Sequence, residues 1–437
     1  MNDSKIEQDE LLRGFAFRTT FVFLLLLTIP LTGTYYRQLF KTDWSHFQDV
    51  FQAANYVPKF FIGSDWGFGS FSGWGIALII SLIAAYFWGF LVKDINQKEP
   101  ELYYWLRVIV RFRLAIALLS YGIIKIFPVQ LPGPTLSDLH TAYGDFLPWK
   151  LYYLSTGVAS AYYEQSLGAI EFLAGLLLMF RRTTIIGAGL ATALLVNIVL
   201  INYAYHLSDQ LYSVYLLILS VFLLLYDTPR LYNLLVKERR AKPDEFNPAY
   251  KPKLKLPLKF AVIVFAIFFS TITYANYRNS NWPYPNTPGL AKAAGFYNVE
   301  SFQWNGEQKP YSLTDSLRWV DVVFEKWNVL SIRKNINAPI NPVSPSLTFQ
   351  KNGLGDYESK GNAGRFFYTY ILSGSKLKLT NNNDPTDTLQ LSISRPDNDI
   401  ILLNGVDAKH DSLKVSLKKL PKEYLLQKGR RKKVSVY

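Results

Sequence analysis

Ionisable side chains inside apolar stretches are the residues of this sequence best placed to do chemistry. Each costs on the order of 2.5–3.5 kcal/mol in hydrocarbon unless it is paired or wetted. Glu171 stands in the middle of YYEQSLGAIEFLAGLLLMF (162–180), with apolar or small neighbours for more than a turn on either side. Glu164 precedes it by seven residues, which returns to nearly the same helical face. Lys125 follows Tyr121 and precedes Gln130 near the end of a second apolar stretch, 104–127. In a third, 183–203, Asn197 and Asn202 lead into Tyr203, Tyr205, His206 and Asp209. Drawn together, a carboxylate, an ammonium, amides and phenols can bind a polar headgroup, hold a quinone carbonyl or pass a proton. The same groups can instead form interhelical hydrogen bonds and one Lys–Glu pair that fix helix register. The sequence leaves both readings open and assigns no catalytic residue.

Other chemistries are excluded by composition. The chain has no cysteine, so it carries no disulfide framework, thiolate metal site or CxxC couple of its own. Its four histidines, His46, His140, His206 and His410, are scattered, and no metal site is expected. GAGLATA (187–193) has the glycine spacing of a dinucleotide loop but lies inside an apolar stretch and follows no strand, so close helix packing explains it. Arg107 and Arg111 are one turn apart on one face and suit snorkelling to headgroups.

The elements that position these residues follow from hydropathy. Seven stretches, near 14–34, 73–92, 104–127, 162–180, 183–203, 211–227 and 258–276, are long and apolar enough to cross a bilayer, which takes roughly 20 helical residues. Lysine and arginine concentrate in alternate connections: Lys93 and Lys98, then Arg181 and Arg182, then the run from Arg230 to Lys255. That bias puts the N-terminus in the cytoplasm and everything after the seventh span outside it. The first span could alternatively be a cleaved signal sequence, although LTGTYYRQLF offers no small-x-small site. GSDWGFGSFSGWG (63–75) reads as an interfacial turn with aromatic anchors. The long connection PVQLPGPTLSDLHTAYGDFLPWKLYYLSTG (128–157) reads as a lid or a surface helix over the outer mouth of the helices.

After about residue 295 the period changes to two. NVESFQW, LRWVDVVFEKW, FFYTYILSG, KLKLT, TLQLSIS, DIILL and SLKVSLKKL alternate, and turn formers such as NNNDPTD separate the later ones. Consecutive hairpins of this kind suit a small antiparallel up-and-down barrel or sandwich. The net charge of +14 includes a basic tail, KGRRKKVSVY, that would attract anionic surfaces. No nucleic-acid partner is expected, because the tail lies across the membrane from the cytoplasm.

The stretches RFRLAIALLSYGIIKIFPVQLP (111–132), EFLAGLLLMFRRTTIIGA (171–188) and NIVLINYAYHLSDQLYSVYLLILSVFLLLYD (197–227) together resemble the DoxX-like membrane protein family. Arg111, Tyr121, Gly122, Lys125 and Gln130 match its pattern on the first core helix, and Glu171, Asn197, Asn202 and Tyr205 match later parts. The chain departs from the pattern at His206 and Gln210. The resemblance implies a membrane all-α helical bundle with a four-helix core, here extended by an extracytoplasmic all-β domain as in long forms from Bacteroidetes-type bacteria.

The expected organisation is therefore two N-terminal spans (1–103), a core (104–227), a basic linker (228–257), a seventh span (258–276) and a β-rich domain (277–437). Because the family is named for a subunit of a thiosulfate:quinone oxidoreductase, the resemblance implies quinone-linked redox work in the inner membrane. Tyr121, Lys125, Gln130, Glu171, Asn197, Asn202 and Tyr205 are then the candidate binding residues, with quinone as candidate cofactor and membrane lipid as partner. The competing expectation is a non-enzymatic scaffold that recruits an envelope protein through residues 295–437.

Overall fold

The structure, a computed structural model, describes residues 3–31, 33–56, 69–91, 99–158, 161–240, 255–279, 284–344 and 355–428. Residues 63–68 of the expected aromatic turn, the centre of the basic linker and the basic tail from 429 onward lie outside the described residues, whereas residues 69–75 of that expected turn are helical. Two compact units are present. One comprises Met1–Phe127, Ser166–Ala204 and Asp209–Tyr274; the other comprises Pro128–Gln165, Tyr205–Ser208 and Ala275–Tyr437.

The first unit is helical: α1 (Asp3–Thr28), α2 (Gly33–Lys41), α3 (Phe47–Ala54), α4 (Gly69–Leu91) and α5 (Glu99–Ile126) precede the excursion into the second unit. There lie α6 (Leu136–Leu139) and α7 (Pro148–Val158). Most of α8 (Ala161–Leu178), with α9 (Thr184–Ala204), α10 (Gln210–Leu235) and most of α11 (Lys255–Asn279), completes the helical unit. Five segments are long and apolar enough to cross a membrane: Leu12–Lys41, Phe71–Leu91, Thr184–Ala204, Gln210–Leu235 and Lys259–Asn279. The other two expected spans fall on helices that miss that standard. α5 carries Arg107, Arg111, Arg113 and Lys125 in its body, and α8 is 18 residues long with Glu164 and Glu171.

Small residues set how closely α5 and α8 approach. A Cβ on Gly122 would lie 2.7 Å from the Phe172 nitrogen and 2.8 Å from the Gly168 carbonyl oxygen. One on Gly168 would lie 2.7 Å from Lys125 Cβ, and one on Gly175 would press on Leu119 and the Ala115 carbonyl. Apolar helices associate by such close packing, since burial from water contributes little between them in lipid. Gly187 packs on the α8 backbone in the same way, 3.0 Å from Leu178 N, as the small residues of GAGLATA imply.

The second unit is built on a closed meander. Strands β1 (Gly295–Trp304), β3 (Trp319–Phe324), β4 (Val329–Lys334), β5 (Phe366–Ser373), β6 (Lys376–Asn381), β7 (Thr388–Asp397), β8 (Ile400–Asp407) and β9 (Ser412–Lys419) pair antiparallel in chain order. The two-residue β2 (Glu307–Gln308) only extends the hairpin from β1. β1 also pairs with β9, so eight strands close into a barrel and the sandwich alternative falls away.

Two local features explain where simple alternation breaks. A bulge between Val299 and Ser301 shifts the parity of β1, so that Tyr297 and Val299 face the core and then Phe302 does. Every residue of β3, WVDVVF, is buried, because residues of the 128–165 segment, α6 among them, cover the outer side of that strand. The segment read as a lid over the helices is thus part of the barrel unit, joined to it also by the bridge between Phe146 and Asn362.

The glycine crossing yields a direct test. Gly122→Val should destabilise the detergent-solubilised protein by about 1–3 kcal/mol through overpacking. Gly189→Val, whose Cβ would meet nothing within 4 Å, should unfold like wild type. Thermal unfolding followed by tryptophan fluorescence reads both, and equal midpoints for the two variants would contradict the packing described.

Candidate functional site

The close crossing of α5 and α8 brings Lys125 against Glu171, three residues beyond Gly168 on the same face of α8. Lys125 Nζ donates to Glu171 Oε1 at 2.5 Å, and their side chains are 12% and 4% exposed. Only one carboxylate oxygen is used this way. Oε2 of Glu171 is buried and accepts no hydrogen bond among the described residues.

A second polar group adjoins the pair through Tyr121, whose ring centroid lies 5.5 Å from Lys125 Nζ. The Tyr121 hydroxyl donates to Asp209 Oδ2 at 3.2 Å, and its ring packs against Phe51 and Tyr212. Asn202 Nδ2 donates to the Asp209 carbonyl at 3.1 Å and to Ser213 Oγ at 3.0 Å, tying the end of α9 to the start of α10. Arg113 donates to the carbonyls of Ala54 and Tyr56, and the Tyr212 hydroxyl donates to Asn55. A lysine, a tyrosine, an asparagine and two carboxylates thus cluster at the end of α5 away from Arg107 and Arg111.

The remaining candidates are elsewhere. Asn197 is exposed on α9. Gln130 and Tyr205 belong to the barrel unit, where Gln130 Oε1 is buried without a hydrogen bond among the described residues and the Tyr205 ring lies 5.2 Å from that of Tyr152. Among the described residues no group of histidines and carboxylates could hold a metal ion.

The barrel unit contains a buried charge network that the search for polar groups in spans does not reach. Lys150 is fully buried, 3.4 Å from Asp138 Oδ1, and donates to the Tyr357 carbonyl with its ammonium 3.8 Å from that ring centroid. Glu325 accepts from Ser137 N and Oγ, both at 2.7 Å, while Glu358 accepts from Trp327 Nε1 at 3.1 Å. Arg365 pairs with Asp321 and donates to Ser331 Oγ and to the His140 carbonyl. A signal existed in WVDVVFE, where Asp321 interrupts an otherwise apolar strand and Glu325 follows it directly.

Burial governs the titration of this network. Desolvation raises Glu325 to about 7, against lowering by its hydrogen bonds from Ser137, and Asp138 raises it further. Glu358 is pushed up by desolvation and by Glu325 beside it. His140, stacked on Phe296, is lowered to about 4 by burial and by Lys422 and Arg365.

No family model matches the chain, and no solved structure matches at a significant level. Over 141 residues it is 30% identical to the uncharacterized protein YwoB of Bacillus subtilis strain 168, covering 32% of this chain and 83% of that protein. The chain belongs to the family of that protein. Membership carries no activity with it, so function has to be argued from the residues.

The raised carboxyl gives a signed expectation. Glu325 loses its proton near pH 4.5 in the unfolded chain but only near 7 when folded, so the folded state binds more protons across that interval. Its contribution therefore falls as pH rises from 4.5 to 7, whereas His140 contributes in the opposite sense between 4 and 6.5. Relative to wild type, Glu325→Gln should make unfolding stability climb more steeply with pH over that window. Chemical unfolding at several pH values checks it, and parallel profiles would refute the assignment.

Proposed function

We propose that this chain is an integral inner-membrane protein of DoxX-like type whose helical unit binds the oxygenated headgroup of a quinone or lipid at Lys125 and Glu171. On this reading the N-terminus is cytoplasmic and the barrel unit periplasmic, as the lysine and arginine bias of the connections supports. The observation that carries the proposal is the unused oxygen of Glu171, buried beside an ammonium. An acceptor left unpaired in such a place costs on the order of 1–3 kcal/mol, more for a charged group, and a hydroxyl donor would recover that loss. A quinol hydroxyl can donate to Oε2 while Lys125 donates to an oxygen of the same ring, and a lipid glycerol can do likewise. Any electron transfer then belongs to a partner component, with this chain as the binding and positioning subunit.

The test is mass spectrometry of an organic extract from protein purified in mild detergent. Wild type should carry a quinone or a single lipid species near one per chain, and Glu171→Gln should lose it while keeping its helix content. Bulk lipid alone in both samples would sink the reading.

A second reading, a scaffold that recruits an envelope protein, is favoured by a specific feature of the barrel unit. Tyr311, Leu313, Leu317, Ile336, Ile340 and Val343 are all at least 48% exposed. They lie on two neighbouring loops joined by the hydrogen bond from Asn335 Nδ2 to the Ser312 carbonyl. Exposed apolar side chains on adjoining loops favour such a role, since exposed apolar surface marks interaction sites. Leu313→Ser with Val343→Ser should abolish a specific cross-linked band in intact cells at unchanged protein level. A band that survives the double substitution would place recruitment elsewhere.

A further inference from the structure

The barrel unit holds a polar cavity of about 380 Å³. It is built by the loop after β4, the segment that leads into β5, and the turn between β6 and β7, which the antiparallel order of the strands brings to one end of the sheet. Cavities that hold small ligands run from roughly 300 to 1,000 Å³, so this one suits a single ring-sized group. Asn341, Asn362, Asn382 and Asn383 line it, and no acidic residue does.

Asn362 is 3% exposed, and both ends of its side-chain amide, Oδ1 and Nδ2, are buried without a hydrogen bond among the described residues. A buried amide left in this way loses the bonds it made to water, and here an acceptor and a donor stand unused side by side. The backbone on either side is pinned. Leu147 N donates to the Gly361 carbonyl and Ala363 N to the Asp145 carbonyl, both at 2.8 Å. Gly361 has a φ of +78°, and a Cβ there would run into the Trp149 ring, which packs directly on the chain before Asn362.

The other asparagines add donors and an acceptor. Asn382 Oδ1 accepts from Thr369 N at 3.1 Å and from Thr369 Oγ1 at 2.7 Å, and Asn341 Oδ1 accepts from Val343 N at 3.0 Å. Each of these two therefore has an Nδ2 donor left to offer. Asn383 is used the other way round: its Nδ2 donates to the Ser359 carbonyl at 3.0 Å, which leaves Oδ1 as an acceptor.

We propose that this cavity binds a saccharide, with two neighbouring ring hydroxyls held by Oδ1 and Nδ2 of Asn362. A hydroxyl donates and accepts at once, so a pair on adjacent carbons can give a proton to the amide oxygen and take one from the amide nitrogen. A phosphate would call for guanidinium groups, and none lines the cavity. A peptide strand docks by adding to an open sheet edge, and the pairing of β1 with β9 closes this sheet. The site stands whether or not the helical unit binds a headgroup at Glu171.

The experiment is saturation-transfer NMR on the full chain in deuterated dodecylphosphocholine, a detergent without a sugar headgroup. The probes are the methyl glycosides of mannose, galactose and glucose, with cyclohexanol, which has a ring but only one hydroxyl, and trialanine as controls. Saturable transfer to at least one glycoside is expected, with none to either control. Asn362→Leu should weaken that binding by about tenfold, the equivalent of two hydrogen bonds between neutral groups, and should melt no lower than wild type because it removes an unpaired buried amide. Asn341 is exposed, so Asn341→Ala keeps the fold even if Asn362→Leu does not, and it should weaken binding by about threefold, the equivalent of one such bond. No saturable transfer to any of the three glycosides, equal transfer to cyclohexanol, transfer to trialanine instead, or undiminished binding in either folded variant would overturn the proposal.

Discussion

The cost of burying charge organises both units of this protein. In the helical unit Lys125 and Glu171 meet only because Gly122 and Gly168 let two helix backbones touch, so the ion pair and the crossing depend on each other. Breaking such a pair by removing one partner is far more costly than the net worth of the pair, because it strands the other charge. In the barrel unit the same constraint decides the path of the chain. Residues 128–165 leave the helices after α5 and pack with the barrel, where Lys150 finds Asp138 and the Tyr357 carbonyl, and Ser137 supplies two donors to Glu325. Their cover over β3 in turn buries the outer face of a strand that a free barrel would expose.

Much of this was readable from residue order. Helices lie at each of the expected apolar stretches, and alternation from NVESFQW to SLKVSLKKL marks most strands of the barrel. Alternation passes over β4, VLSIRK, whose polar and apolar residues do not separate cleanly. Closure of the sheet was not legible either, since the β1–β9 pairing joins residues more than 100 apart and no local signal encodes it. Glu171 and Lys125 stand out because charge is rare in apolar helices, and they do meet. Asn197 was equally conspicuous but is exposed, because the rotation of a helix with apolar residues all round cannot be read from its period. Gln130 and Tyr205 sit a few residues beyond the helix ends, where the chain has already passed into the other unit.

The polar places in the helical unit differ in kind, and the difference bears on function. At one end of α5 the Lys125–Glu171 pair leaves one buried carboxylate oxygen without a donor among the described residues; at the other, Arg107 and Arg230 share the Asp227 carboxylate. The unpaired oxygen of the first suits a hydroxyl donor. The barrel unit adds a buried network in which desolvation raises Glu325 and Glu358, which ties its stability to pH without requiring any ligand. Kinship with the Bacillus subtilis protein YwoB fixes descent for part of the chain and leaves these chemical distinctions as the grounds for assigning function.

The central claim is that the Glu171 carboxylate contacts a bound headgroup. Infrared difference spectroscopy tests it most directly, by adding a short-chain quinol to the lipid-stripped protein and comparing wild type with Glu171→Gln. The account predicts a shift in a carboxylate band on addition, present in wild type and missing from the variant. Identical difference spectra from the two proteins would contradict it and leave the Lys125–Glu171 pair as a device of helix packing alone.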